Sequence, residues 1–179
     1  MPQRVQMVRV ALWVYLPMLA AGFFTQAPGT LFVDDLLPLL WWVGAALGIG
    51  ALAVWASRWV SQHTGWGRAL RDEFRGVLGD LDSRQILVLA LLSSFGEELL
   101  FRGVLHPRLG LLATALIFGL FHFPYRRALL PWTLFAVGIG LILGLLTDYS
   151  GSLWPAILLH FFINYFNLHD LVRQRGEEA

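Results

Sequence analysis

Long apolar segments alternate with short polar ones along most of this chain. We distinguish six: Val8–Phe24, Leu36–Val60, Ile86–Leu105, Leu109–Phe123, Trp132–Leu146 and Trp154–Asn167. Such segments predict helices that cross a bilayer, since a helix needs about 17–25 apolar residues to span ~30 Å of hydrocarbon. The last three have only about 14–15 residues, so we expect them to be surrounded by other helices or to lie where the bilayer is thinned.

The charges between these segments predict an orientation. Asp34, Asp35 and Asp148 lie in loops on one side, whereas the loops on the other side and the chain ends are rich in arginine. With six spans and both termini in the cytoplasm, nearly every loop arginine is cytoplasmic, as the positive-inside rule requires, with Arg108 the exception. The arginines concerned are Arg4, Arg9, Arg58, Arg68, Arg71, Arg75, Arg84, Arg126, Arg127, Arg173 and Arg175.

The first apolar segment has a second interpretation. Its flanking arginines and a passable cleavage site at Thr25-Gln26-Ala27 resemble a signal peptide. Because several spans follow it, we expect an uncleaved membrane helix.

Residues 65–82, between the second and third segments, show a different pattern. Apolar side chains recur there at helical spacing, opposite a charged face that includes Arg68, Arg71 and Arg75. The pattern predicts an amphipathic helix on the cytoplasmic membrane surface, its arginines directed toward anionic headgroups. A plain connecting helix is the alternative. The apolar positions are Trp66, Leu70, Phe74, Val77, Leu78 and Leu81.

Composition supports an all-α polytopic membrane bundle formed by residues 1–179 as a single domain. The chain is 57% hydrophobic and 14% charged, whereas soluble domains carry about 25% charged residues. Cysteine is absent, which excludes disulfides, thiolate nucleophiles and cysteine–zinc sites. All 13 basic residues are arginine, which excludes Schiff-base chemistry, and no basic block indicates nucleic-acid binding. We expect a bacterial inner-membrane protein.

Two adjacent carboxylates, Glu97 and Glu98, lie inside the third apolar segment. Each ionised group costs about 2.5–3.5 kcal/mol at the membrane centre, so intramembrane charges usually serve a function. Glu98 and Arg102 are four residues apart and can form an ion pair on one helix face. Glu97 is offset by ~100° and can face a different neighbour.

Two further segments carry polar residues at the same four-residue spacing. Phe118 and His122 share one face of the fourth segment, and His160 and Asn164 share one face of the sixth. Because such faces are unstable against lipid, we expect the three helices to converge on one interior cavity.

These residues form three ordered motifs. Residues 97–102 read EELLFR and match EExxxR, residues 118–122 read FGLFH and match FxxxH, and residues 160–164 read HFFIN and match HxxxN. In this order the motifs resemble those of the CPBP family (CAAX-processing and bacteriocin-processing intramembrane proteases, formerly called Abi). The resemblance covers a catalytic core at residues 84–167.

The resemblance implies an endopeptidase that hydrolyses a peptide bond with a glutamate-activated water. Glu97 is the expected general base, since Glu98 has the better spacing to Arg102, although the pair's roles stay open. His122 would hold the same water, and His160 and Asn164 would donate hydrogen bonds to the oxyanion. Three residues would support the site: Glu98, Arg102 and Phe118.

The same resemblance implies a membrane-anchored or lipidated protein or peptide as substrate, within the lipid bilayer and without a cofactor. CAAX-like proteins, bacteriocin leaders and C-terminal sorting signals are all compatible with it.

Other interpretations of the same residues remain. Glu97, His122 and His160 could bind zinc as in a metalloprotease, although no HExxH is present. Serine and aspartyl intramembrane proteases are disfavoured, since Ser150-Gly151-Ser152 lacks the required context and Asp148 stands alone. The non-enzymatic alternatives are a membrane immunity or binding factor and a proton-coupled carrier.

Overall fold

The computed structural model describes residues 2–25, 31, 35–122 and 130–177. In this part of the chain every regular element is a helix, which confirms the predicted all-α class. The predicted features at Gln26-Ala27, Asp34, Arg126 and Arg127 lie outside the described residues. The helices are α1 (Pro2–Thr25), α2 (Leu36–His63), α3 (Gly65–Leu78), α4 (Ser83–Leu100), α5 (His106–Leu109), α6 (Leu111–Phe121), α7 (Leu130–Ser150) and α8 (Trp154–Glu177).

Polar side chains cap the ends of several helices. Asp35 caps the first turn of α2, and Asp82 forms a capping box with Gln85 at the start of α4. Thr64 caps both neighbouring helices: its backbone N–H donates to Val60 O at the end of α2, and its hydroxyl oxygen accepts from Gly67 N at the start of α3. Such caps satisfy backbone groups that have no partner inside the helix. The sequence therefore marks these helix boundaries locally.

A π-helical turn, Phe101–Leu105, joins α4 to α5 without a break. The N–H of His106 donates to the carbonyl of Phe101, five residues earlier, instead of the usual four. The predicted third span, Ile86–Leu105, lies wholly within this continuous helix, and Arg102 lies in the π turn. Turns of this kind frequently occur at functional sites.

Helix α4 lies at the centre of the bundle. It packs against α1 on one side and α8 on another, while α8 also packs against α2 and α7, and α6 packs against α7. Protein therefore encloses Glu97 and Glu98 of α4 and Arg102 of the π turn, all of which are buried.

Three of the described helices are long and apolar enough to cross a membrane: α1 from Met7, α2 and α7. The count of six spans stays a prediction. Helix α6 has 11 residues, about 16 Å in length, which is too short to cross the hydrocarbon alone. Helices α7 and α8 have 21 and 24 residues, so their predicted segments were too short. The reason is plain for α8, which continues past its apolar run through polar residues as far as Glu177.

Helix α3 is the predicted amphipathic helix, and part of its apolar face contacts the protein while Trp66 is half exposed. It ends at Leu78, where Gly79 has a φ of 63°, instead of continuing to residue 82. The ring of Phe74 makes an edge-to-face contact with Trp132 of α7, with centroids 4.8 Å apart. Arg75 Nε donates to the carbonyl of Leu171 in α8 at 3.3 Å. These contacts hold α3 against the bundle, and its position at a membrane surface stays a prediction.

Gly22 allows α1 to approach α4 closely, and we expect Gly22→Ala to destabilise the protein. A Cβ at this position would lie 2.5 Å from Leu99 Cβ and 2.9 Å from the Leu99 carbonyl carbon. Overpacking against backbone typically costs 1–3 kcal/mol, measurable as a lower midpoint of unfolding in detergent. Gly44→Ala is the matched control, since a Cβ there meets nothing within 4 Å. An equal effect of both substitutions would contradict the close α1–α4 contact.

Candidate active site

A cavity of about 620 Å³ lies between the helices, lined by residues of α1, α2, α3, α4, α6, α7 and α8. Four residues with predicted catalytic roles border it: Glu97, His122, His160 and Asn164. The three polar helix faces therefore meet at one cavity, as expected. Glu98 and Arg102 lie behind its wall, fully enclosed.

The Glu97 carboxylate faces two imidazoles across the cavity. Its Oε2 atom lies 3.5 Å from His122 Nε2 and 3.9 Å from His160 Nε2. Oε2 accepts no direct hydrogen bond from the described residues, and Glu97 is only 5% exposed. A carboxylate oxygen and two ring nitrogens thus converge from three helices.

His122 is oriented by its own helix and by α7. Its Nδ1 lies 2.7 Å from the carbonyl oxygen of Phe118, and its own carbonyl accepts a hydrogen bond from Thr133 Oγ1 at 3.1 Å. Since a carbonyl can only accept, Nδ1 must carry a proton. In the neutral ring, Nε2 then has a free lone pair directed toward Glu97.

Glu98 is held between a guanidinium and an imidazole. Its Oε1 accepts from Arg102 Nη1 at 3.0 Å and lies 2.7 Å from His160 Nδ1. The predicted ion pair is therefore present. Arg102 Nη2 also donates to the carbonyl of Gly140 in α7 at 2.9 Å. Glu98 and Arg102 thus connect α4, α7 and α8, and they orient the His160 ring so that Nε2 faces Glu97.

Phe118 is the packing centre of the site. The Arg102 guanidinium lies 4.4 Å from the centre of its ring, a distance typical of a cation–π contact. The His122 and His160 rings lie against the same phenylalanine, with centroid distances of 4.4 and 5.8 Å. Its place in the FxxxH motif therefore has a structural reason.

Asn164 of α8 lies against Ser93, which is one helical turn before Glu97 on α4. Its Nδ2 lies 2.9 Å from Ser93 Oγ, and that hydroxyl donates to the carbonyl of Ala90 at 3.2 Å. Because the serine proton is already used, Ser93 can only accept from the asparagine, which determines the orientation of the amide. One N–H of Asn164 stays available to the cavity.

The three motifs do not include Ser93, although its position in the sequence carries a signal. Ser93 precedes Glu97 by four residues and is thus on its helix face. Trp132, which contacts the His122 ring at 5.0 Å, carried no recognisable signal. The other three histidines do not line the cavity. His63 stacks on Trp59, His169 contacts Tyr165, and His106 contacts Asp148.

We expect Ser93→Ala to lower kcat about tenfold, since the Asn164 amide loses the acceptor that orients it. Peptide cleavage and the midpoint of unfolding should be measured together. Ser94→Ala is the matched control, because Ser94 is buried and donates to a carbonyl in the same way, Leu91 O at 3.2 Å, but does not line the cavity. Equal activity losses in both variants would contradict the role of Ser93.

Zinc binding by Glu97, His122 and His160 is the alternative to a metal-free site. Zinc requires its nitrogen and oxygen ligands at about 2.0–2.2 Å from one point. In the part of the chain that the structure describes, no group of three His, Cys, Asp or Glu side chains forms such an arrangement. A zinc-dependent mechanism remains an alternative to be tested.

Comparison with known proteins places part of this chain in a family. Residues 81–166 match the family model described as type II CAAX prenyl endopeptidase Rce1-like. The uncharacterized protein YpbD of Bacillus subtilis (strain 168) is 42% identical over 81 residues, which is 44% of this chain and 41% of that protein. The match thus spans less than half the length of this relative. No solved structure matches the chain.

The matched segment contains all seven motif residues described above, so the predicted resemblance is confirmed. Through residues 81–166, just under half of its length, the chain is similar to the Rce1-like family of CAAX prenyl endopeptidases.

Proposed function

We propose that this protein is an intramembrane endopeptidase that hydrolyses a peptide bond with a water activated by Glu97. The observation that carries the proposal is the convergence of Glu97 Oε2 with the Nε2 atoms of His122 and His160 in a cavity enclosed by apolar helices. A carboxylate beside imidazoles at this spacing can hold one water between them.

In the proposed reaction, Glu97 takes a proton from the water while the oxygen of that water attacks the carbonyl carbon of the substrate. His122 Nε2 accepts the water's second hydrogen bond and orients the attack. The tetrahedral intermediate collapses when the proton passes to the peptide nitrogen and the C–N bond breaks. The products are a carboxylic acid and an amine, so no oxidant or second substrate is needed.

His160 and Asn164 are proposed to stabilise the oxyanion. With Nδ1–H donated to Glu98, a protonated His160 ring has a second donor, Nε2–H, directed into the cavity. Asn164 supplies the N–H that Ser93 leaves available. Each such donor typically contributes a 10²–10³-fold rate increase.

The proposed substrate is a membrane-anchored or lipidated protein. The cavity opens among apolar and aromatic side chains, including Phe121, Trp132 and Phe135, which suit a hydrocarbon anchor. The family description favours a CAAX-like substrate, with bacteriocin leaders and C-terminal sorting signals as the other classes. We further propose an inner-membrane location with both termini cytoplasmic.

The test uses the purified protein in proteoliposomes with three peptide classes: prenylated C-terminal peptides, leader peptides and C-terminal membrane-anchored signals. Mass spectrometry of the products should show cleavage at one bond in at least one class. Loss of cleavage with a chelator, and recovery with zinc, would favour the metal-dependent alternative. Peptide binding without cleavage would indicate a binding factor and overturn the proposal.

A further inference from the structure

Helix α1 lies outside the segment that matches the family model, yet it reaches the candidate active site. Where Gly96 precedes Glu97, a Cβ on that glycine would lie 3.3 Å from both Cβ and Cδ1 of Tyr15. The Tyr15 side chain therefore lies directly on the α4 backbone beside Glu97. Gly22 brings the two helices still closer near Leu99, so the contact follows the α1–α4 interface.

Tyr15 and Glu97 line the same cavity. Because the Tyr15 ring lies against α4 at Gly96 and lines the same cavity as the adjacent Glu97, its phenol can reach the carboxylate. A neutral phenol is a donor toward a carboxylate, and such charge-assisted hydrogen bonds are about twice as strong as neutral ones.

We propose that Tyr15 is a positioning residue for Glu97: its hydroxyl donates to the carboxylate and keeps Oε2 directed at the two imidazoles. The ring is held by Ala11 and Leu89, with which it shares an apolar cluster. Its position is therefore determined by packing and does not depend on the hydrogen bond.

The groups that face Glu97 come from four helices. Tyr15 lies on α1, His122 ends α6, His160 lies on α8, and Arg102 and Glu98 belong to its own helix and the π turn. Among these, Tyr15 supplies a donor without bringing a charge. The matched segment alone would therefore lack a group that orients its general base.

The experiment measures the carboxylate directly, without a substrate. The full-length protein is treated with dicyclohexylcarbodiimide, an apolar reagent for membrane carboxyl groups, and modification of Glu97 is followed by peptide mass spectrometry. Tyr15→Phe should raise the modification rate of Glu97 about three- to tenfold, because the carboxylate loses its fixed partner. Tyr165→Phe is the matched control, since Tyr165 packs in the same cluster but does not line the cavity.

The activity arm rests on the proposed function. There, Tyr15→Phe should lower kcat about tenfold and leave KM unchanged, because a misdirected base affects the chemical step. If the wild type cleaves nothing, the proposed function fails while the labelling still tests Tyr15.

Stability measurements separate positioning from simple packing. The effect of Tyr15→Phe on the midpoint of unfolding should be smaller in a Glu97→Ala background than in the wild type, since the partner is already gone. Identical effects in both backgrounds, or an unchanged Glu97 modification rate, would overturn the proposal.

Discussion

A Glu97→Gln variant should lose about 10³-fold in kcat and keep the wild-type fold. Glutamine preserves the shape of the side chain and can still accept a hydrogen bond from Tyr15, but it cannot take a proton from water. General base catalysis typically contributes 10²–10⁴-fold, so the loss should fall in that range. Cleavage of the best peptide from the proteoliposome panel, measured as initial rates at saturating substrate, provides the test.

The matched control for this substitution is Asp148→Asn. It also removes one carboxylate, but Asp148 is half exposed beside His106 and does not line the cavity. We expect the control to retain wild-type kcat. A Glu97→Gln variant that cleaves as fast as the control would show that another group activates the water.

An Arg102→Met variant should be the most destabilising single change in the site. It leaves the Glu98 carboxylate buried at 0% exposure with His160 as its remaining partner, and it also removes the donor to Gly140 O. Breaking one side of a buried ion pair typically costs 3–5 kcal/mol. Unfolding in detergent at several denaturant concentrations measures the change in free energy.

A double variant tests the physical cause of that loss. In Glu98→Gln/Arg102→Met both charges are absent, so the penalty of an unpaired buried charge disappears, and we expect a large part of the lost stability to return. A buried pair replaced as a unit is often close to neutral. If the double variant is less stable than Arg102→Met, the loss came from packing against Phe118 and not from the charge.

The sequence predicted best those contacts that lie within one helix. The Glu98–Arg102 pair follows from a four-residue spacing, which brings two side chains together in any helix. The three motifs likewise predicted that Glu97, His122, His160 and Asn164 would share a cavity, because each polar face needs shelter from lipid.

The spacing of polar and apolar residues in the sequence could not predict the contacts between helices. His160 binding Glu98 through Nδ1, and Asn164 bonding to Ser93, depend on how α8 is rotated against α4. That rotation results from many small packing contacts and has no local signal. For the same reason the sequence does not indicate that Tyr15, which lies on a helix without any motif, is near Glu97.

The predicted helix lengths were wrong where a helix continues beyond its apolar residues. Helix α8 continues through Asn167 and Asp170 because Asp170 pairs with Arg58 of α2, although hydropathy had ended the segment. The position of helix α3 at a membrane surface stays a prediction, because periodicity alone cannot distinguish a face turned to lipid from one turned to a protein cavity.

The π turn at Phe101–Leu105 holds one residue more than an α turn, and the N–H of His106 bonds to the Phe101 carbonyl across that extra residue. Removing one residue after Arg102 would let an ordinary α turn close the same hydrogen bond, so His106 and the chain that follows would keep their orientation. A deletion in the α-helical part of α4 has no such extra residue to absorb it and would rotate everything after it by ~100°. This helix can therefore change its length at the π turn without changing its phase, and nowhere else near the site.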